Sequence, residues 1–136
     1  MTGSAVTRGP LILFETFEIT APFAEYEKAV HALCHKIEEE GVAGALSMHY
    51  YADREAREAY MIFTLKDADA YQKHNLFLRN MSEVEPYRQA IKLKQIRAFG
   101  EINAETAKRF REGGRFDFQW VPEHVTGFTR NTAADS

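Results

Sequence analysis

The chain has 136 residues, 45% of them hydrophobic and 27% charged, the make-up of one ordinary globular domain with a core of its own. A formal net charge of −3 with a pI near 6.0 excludes the basic face that nucleic-acid binding demands. The single cysteine, Cys34, excludes an intrachain disulfide and suits a reducing compartment. Residues 1–10 carry no signal-peptide core, and no run approaches the roughly 18 apolar residues of a membrane span. The expectation is a cytoplasmic protein without a membrane partner.

Residues 1–10 are small and polar and read as a flexible tail. Leu11 to Ile19 reads as a strand with Leu11, Leu13, Phe17 and Ile19 on one side and Ile12, Phe14 and Thr16 on the other. Both sides are largely apolar, so the sheet is expected to be covered twice. Thr20-Ala-Pro opens a helix whose stripe is Phe23, Tyr26, Val30, Leu33, Cys34 and Ile37, and Gly41 stops it. Glu38, Glu39 and Glu40 stand at the negative end of that helix's dipole, a mildly unfavourable place.

Ala45 to Tyr51 and Ala59 to Leu65 read as two strands joined by the polar stretch 52–58. Asp67 caps a second helix with the stripe Ala70, His74, Phe77, Leu78, Met81 and Val84. Pro86 predicts a break between about Asn80 and Pro86, followed by a short helix through Ile91. Lys92 to Ile102 is the fourth strand, with Leu93, Gln95, Arg97 and Phe99 against Lys94, Ile96, Ala98 and Gly100. Asn103 caps a polar helix that Gly113-Gly114 ends. Arg115 to Val121 alternates, with Phe116, Phe118 and Trp120 together, and reads as an extra strand or an arm clasping a partner. Residues past about Gly127 read as a flexible tail.

The order β-α-β-β-α-β predicts an α+β, ferredoxin-like domain over 11–102: a four-stranded antiparallel sheet with helices on one face. Residues 103–136 form a C-terminal extension. Helices cover one face only, so apolar residues on the other predict a homodimer joined sheet to sheet. The segment Phe63-Thr-Leu-Lys-Asp-Ala-Asp-Ala-Tyr-Gln-Lys-His74, with Gly44-Ala-Leu-Ser-Met-His-Tyr-Tyr-Ala-Asp53 before it, resembles the antibiotic biosynthesis monooxygenase family of dimeric α+β barrels. His74 matches the family's helix histidine, while Phe63 and Leu65 stand where it usually has a glutamate and a tryptophan. The resemblance implies oxygenation of small aromatic or quinol-like compounds without metal or flavin, in a cavity between sheet and helices. It also leaves haem as a cofactor candidate, since some relatives degrade it.

His74 reads two ways: a core-edge histidine bonded to a backbone carbonyl, or a pocket histidine whose near-neutral pKa suits general-base work. His49 stands in a row with Ser47 and Tyr51 that lines a cavity, or else faces solvent or the dimer seam. Arg97 on an apolar strand face needs a carboxylate, and Glu15 is the expected partner; anchoring an anionic or phenolic ligand is the alternative. His31 and His35 share a helix face, but no second cluster completes a metal site. The candidate site is therefore His74 as proton acceptor, assisted by His49, with Tyr60, Phe63, Leu65 and Arg97 against the substrate. The rival readings are a non-catalytic barrel that binds an apolar metabolite or haem, and a purely structural or regulatory dimer.

Overall fold

A computed structural model describes residues 9–130; the N-terminal tail up to residue 8 and the segment from 131 lie outside the described residues. Five strands and four helices follow one another as β1 (Leu11–Ile19), α1 (Phe23–Glu40), β2 (Ala45–Asp53), β3 (Glu58–Leu65), α2 (Ala68–Leu78), α3 (Val84–Ala90), β4 (Ile91–Phe99), α4 (Ala104–Gly113) and β5 (Asp117–Val121). The strands form one sheet in the order β2-β3-β1-β4-β5. The first four pair antiparallel, as the ferredoxin-like order predicts. Among the described residues no helix is long and apolar enough to cross a membrane.

The expected four-stranded antiparallel sheet needs one correction. β5 adds a fifth strand, parallel to β4, with Ile96 opposite Phe118 and Ala98 opposite Trp120. The chain can run parallel only after a crossover, and α4 supplies it. Phe110 of α4 packs on Phe118 at 5.1 Å and on Phe116 at 6.1 Å between ring centroids. Trp120 donates its indole N–H to the carbonyl of Gly100 at 2.8 Å. The alternating aromatic side is thus half-buried against its own chain, and its residues from Asp117 on form a strand rather than a free arm.

Local chemistry sets the helix limits. Asp67 accepts from the amide of Ala70 at 2.8 Å, and Asn103 from that of Thr106 at 2.8 Å, each satisfying an N-terminal donor. Gly114 ends α4 in the left-handed conformation, φ 66°, which a side chain resists. Pro86 lies in the first turn of α3, where its missing amide hydrogen costs nothing. The Lys36–Glu40 ion pair at 2.8 Å offsets part of the adverse charge at the end of α1, and His35 contacts Glu39 at 3.2 Å. Gly44 lets α2 approach β2, because a Cβ there would stand 2.5 Å from that of Ala70.

All four helices lie on one side of the sheet. Tyr26 of α1, Tyr71 of α2, Ala90 of α3 and Ala107 of α4 share a core cluster with Leu11, Leu13, Phe17 and Ile19. The opposite face carries Ile12, Phe14, Thr16, Tyr60, Ile62, Thr64 and Phe99 and has no helix over it. Here Ile62 is 37% exposed and Phe99 39%.

The parity of β4 differs from expectation. Thr16 pairs with Gln95, but Phe17 pairs with Leu93, so Lys94 is an extra, bulged residue. Leu93 therefore faces the helices with Ile96 and Ala98, while Gln95, Arg97 and Phe99 face away. A single bulge moved half the strand to the other side.

Candidate functional site

Strand alternation gives β1 one polar residue on its helix-covered side: Glu15, between Leu13 and Phe17. Glu15 lines a cavity of about 140 Å³ between the sheet and the helices. The floor holds Leu13 and Glu15 of β1, Met48 and Tyr50 of β2, and Met61 and Phe63 of β3. The helices close it with Leu33 and Ile37 of α1, Tyr71, His74, Asn75 and Leu78 of α2, and Val84, Tyr87 and Arg88 of α3. Its volume is close to the ~150 Å³ that hosts benzene in an apolar protein interior. A haem macrocycle does not fit there.

Burial holds Glu15, His74 and the tyrosines of this cavity toward their neutral forms, while Arg88 adds a cation to its lining. Among the described residues Glu15 forms no ion pair, and loss of water pushes its carboxyl up to about 7. His74, only 3% exposed, is pushed down to about 4 by the same desolvation, so its imidazole is neutral over the physiological range. Its ring stands edge-on to Phe63 at 4.6 Å between centroids, and its Nδ1 is buried with no hydrogen-bond partner among the described residues. Tyr50 donates to Tyr87, hydroxyl to hydroxyl, at 2.9 Å. Burial raises the pKa of both phenols and of Tyr71. One carboxyl near neutrality thus shares the cavity with apolar walls, neutral phenols and the guanidinium of Arg88. Such a group exchanges a proton readily at pH 7.

The structure divides the predicted site. His74 and Phe63 line the cavity. Leu65 is fully buried on the same side of the sheet but is not among the cavity walls. His49, Tyr60 and Arg97 lie on the opposite face: His49 pairs with Ile62, Tyr60 with Thr16, and Arg97 with Phe14. They cannot assist His74 within one chain, because the sheet stands between them. Tyr60 instead donates to Glu58 at 2.9 Å and stacks on Phe14 at 6.2 Å. The expected Glu15–Arg97 pair is absent for the same reason: Glu15 pairs with Ile96 across the sheet, and the bulge at Lys94 turns Arg97 away. Arg97 keeps a buried Nε without a hydrogen-bond partner.

His74 is buried on its helix's inward side, as its core reading expects. No carbonyl accepts from its Nδ1, and a value near 4 is not the near-neutral one expected of a general base. Glu15 holds that value instead. A lone acid on an otherwise apolar strand face signals it in sequence, where it also answers the need of Arg97 for a carboxylate. Among the described residues no three histidine, cysteine or acidic side chains come together as a metal site.

A second, larger depression of about 880 Å³ runs between α1 and the edge strand β2. Ile37, Met48, Tyr50 and Phe63 line both it and the cavity. The two are back to back across those four side chains.

No protein-family model matches this sequence, and no curated protein matches it. Solved structures do. The chain is similar to MupZ from Pseudomonas fluorescens, with a TM-score of 0.59 at 16% identity over 90% of this chain and 96% of MupZ. It is also similar to SnoaB, a cofactor-independent oxygenase from Streptomyces nogalater, with a TM-score of 0.56 at 14% identity over 70% of this chain and 95% of SnoaB. The structural-genomics protein YJCS gives a TM-score of 0.56 at 13% identity over 70% of this chain and all (100%) of that one. These likenesses place the fold in the ferredoxin-like α+β class that includes an oxygenase. The MupZ match covers more of this chain than the other two.

Proposed function

We propose that the protein is a cofactor-independent oxygenase of small phenolic or enolic compounds, with the carboxylate of Glu15 as proton acceptor. One observation carries this reading: a carboxyl held near pKa 7 in a ring-sized cavity, with no ion pair to it among the described residues. The fold shared with SnoaB supports the class of reaction.

The chemistry needs little beyond such a cavity. Glu15 takes the proton of the substrate hydroxyl, leaving an electron-rich phenolate or enolate. That anion passes one electron to dioxygen, and the two radicals join, forming a carbon–oxygen bond. The peroxide then loses water as its oxygen–oxygen bond breaks, with Glu15 returning its proton to the departing oxygen. One oxygen atom stays as a carbonyl and the other leaves as water, whose hydrogens are the substrate's O–H and C–H. Apolar walls keep bulk water from the anion, and neutral His74 orients the substrate by hydrogen bonding. The groove along α1 offers a way in past Ile37 and Met48.

Assembly belongs to the same reading. Two copies pair through their open sheet faces, hiding Ile62, Phe99 and Tyr51 and giving the Arg97 Nε a chance of a partner. The dimer is thereby a structural frame, while each cavity is complete within one chain.

Oxygen uptake with a panel of phenols and quinols tests the function. The wild type consumes oxygen with at least one compound, and its rate rises with pH through about 7 as Glu15 ionises. Glu15→Gln folds and loses about a hundredfold or more of that rate. An inert wild type, or a Glu15→Gln variant with full activity, would overturn the assignment.

A further inference from the structure

Two walls of the cavity differ in character. Toward α3 stand Asn75 and the exposed Arg88, a side suited to polar substituents. Toward α1 and the edge strand β2 the wall is Ile37, Met48, Tyr50 and Phe63, and the groove of about 880 Å³ lies directly behind those four side chains. Three of them are held. Ile37 is 7% exposed on its helix, Tyr50 donates to Tyr87 at 2.9 Å, and Phe63, 2% exposed, stands against His74. Met48 is half-buried, unbranched and free of such ties, the one member of the wall able to swing aside. Behind it Val42, Ala45 and Leu46 give the groove an apolar stretch, with His31, His35 and Glu38 on the α1 side. Leu46 is 58% exposed, a large apolar side chain left open to solvent.

Resting on the reading of this cavity as the substrate site, we infer that the groove between α1 and β2 is a subsite for an unbranched apolar chain carried by the substrate, with Met48 as the movable divider between chain and reacting head. The head sits by Glu15, and the chain passes the Met48 position and lies along Val42 and Leu46. Continuity decides the occupant: one wall serves both spaces, so whatever fills this end of the groove borders the candidate site. The cavity itself, at about 140 Å³, is filled by one ring and leaves a chain no room inside. A chain branched at its first carbon is too wide for the gap that a single side chain vacates. Each methylene that leaves water for the groove raises affinity about three- to fourfold.

Calorimetric titration without oxygen tests this apart from turnover. The probes are phenol, the unbranched 4-alkylphenols from ethyl to hexyl, and 4-tert-butylphenol, all on the full chain. Affinity climbs by that factor with every methylene from 4-ethylphenol to 4-hexylphenol, and the unbranched butyl compound binds about tenfold or more tighter than its tert-butyl isomer. Leu46→Asp, on the exposed rim of the groove, and Met48→Trp, which thickens the divider, each lower the ratio of hexylphenol to phenol affinity about tenfold or more. Circular dichroism certifies both variants, and the exposed position of Leu46 keeps the first of them folded. Cys34, the chain's single cysteine, lines the same groove, so saturating 4-hexylphenol slows its alkylation by N-ethylmaleimide and saturating phenol does not. Level affinity beyond 4-ethylphenol, an unchanged ratio in Leu46→Asp, or equal alkylation rates under the two phenols would overturn the inference. Admitting air separates it from the proposed reaction. A chain-dependent series that consumes no oxygen sinks the oxygenase and spares the groove. Oxygen uptake with phenols whose affinity ignores the chain does the reverse.

Discussion

The two faces of the sheet hold their polar side chains under opposite conditions. On the covered face Glu15 and His74 stand apart from any counter-charge, and desolvation pushes one pKa up and the other down toward the neutral forms. On the open face Tyr60 has Glu58 as an acceptor, and Lys94 reaches the same carboxylate at 3.6 Å. The lesson is about cost. A lone acid and a lone imidazole are expensive to bury, and a core filled by leucine in their place would be more stable. Groups kept at such a cost are the first candidates for chemistry.

The largest expected effect sharpens that contrast on one strand, where Phe63 faces the helices and its neighbour Ile62 faces away. Phe63→Ala leaves a hole beside His74 and destabilises the chain by about 3–5 kcal/mol. Ile62→Ala costs well under half of that in a monomer, because the side chain is already partly wet. Urea unfolding gives both values. If two copies pair through the open face, Ile62→Asp lowers the mass in solution to that of one chain, as sedimentation reads it. An unchanged mass for a dimeric wild type would place the interface elsewhere.

Next in size is the dependence of stability on pH. Glu15 has its folded pKa raised from 4.5 to about 7, so its contribution is fully present below 4.5 and is lost as pH rises through 7. His74 is lowered from 6.5 to about 4; its contribution is present above 6.5 and is lost as pH falls through 4. The two oppose each other between about 4.5 and 6.5, and the wild type should show a shallow profile there. Glu15→Gln removes one arm. Stability then falls steadily on acidification from 6.5, and at pH 8 the variant gains up to about 3 kcal/mol over the wild type. Parallel profiles for the two proteins, measured by urea unfolding from pH 4 to 8, would show that Glu15 is not desolvated.

Much of the covered face was legible in the sequence. β1 runs over the expected residues, Asp67 and Asn103 cap as read, and the helical stripes bury Tyr26, Val30, Leu33 and His74. These features rest on neighbours within a few positions. The face of Arg97 did not, because one bulged residue, Lys94, reverses parity and leaves no mark in composition. The parallel direction of β5 depends on where α4 packs, again a long-range matter. The cavity is harder still, since six segments close it and no local pattern measures the gap between them. His74 and Phe63 were found through their helix and strand, while Glu15 was visible but assigned to a partner that the bulge had turned away.

The smallest effect compares the two tyrosine hydroxyls that donate to side chains. Tyr50 donates to Tyr87 inside the cavity wall, and Tyr60 donates to Glu58 on the open face. Removing the first leaves Tyr87 with an unmet oxygen in a dry site, so Tyr50→Phe costs about 1–2 kcal/mol. Removing the second lets water replace the phenol, and Tyr60→Phe leaves the unfolding midpoint unchanged. Because Tyr50 also borders the groove along α1, Tyr50→Phe gives a second reading, on binding. The phenol panel should bind the variant as it binds the wild type if Tyr50 only holds the wall, and more weakly if its hydroxyl also touches the ring. The former is expected, since the Tyr50 proton is already committed to Tyr87.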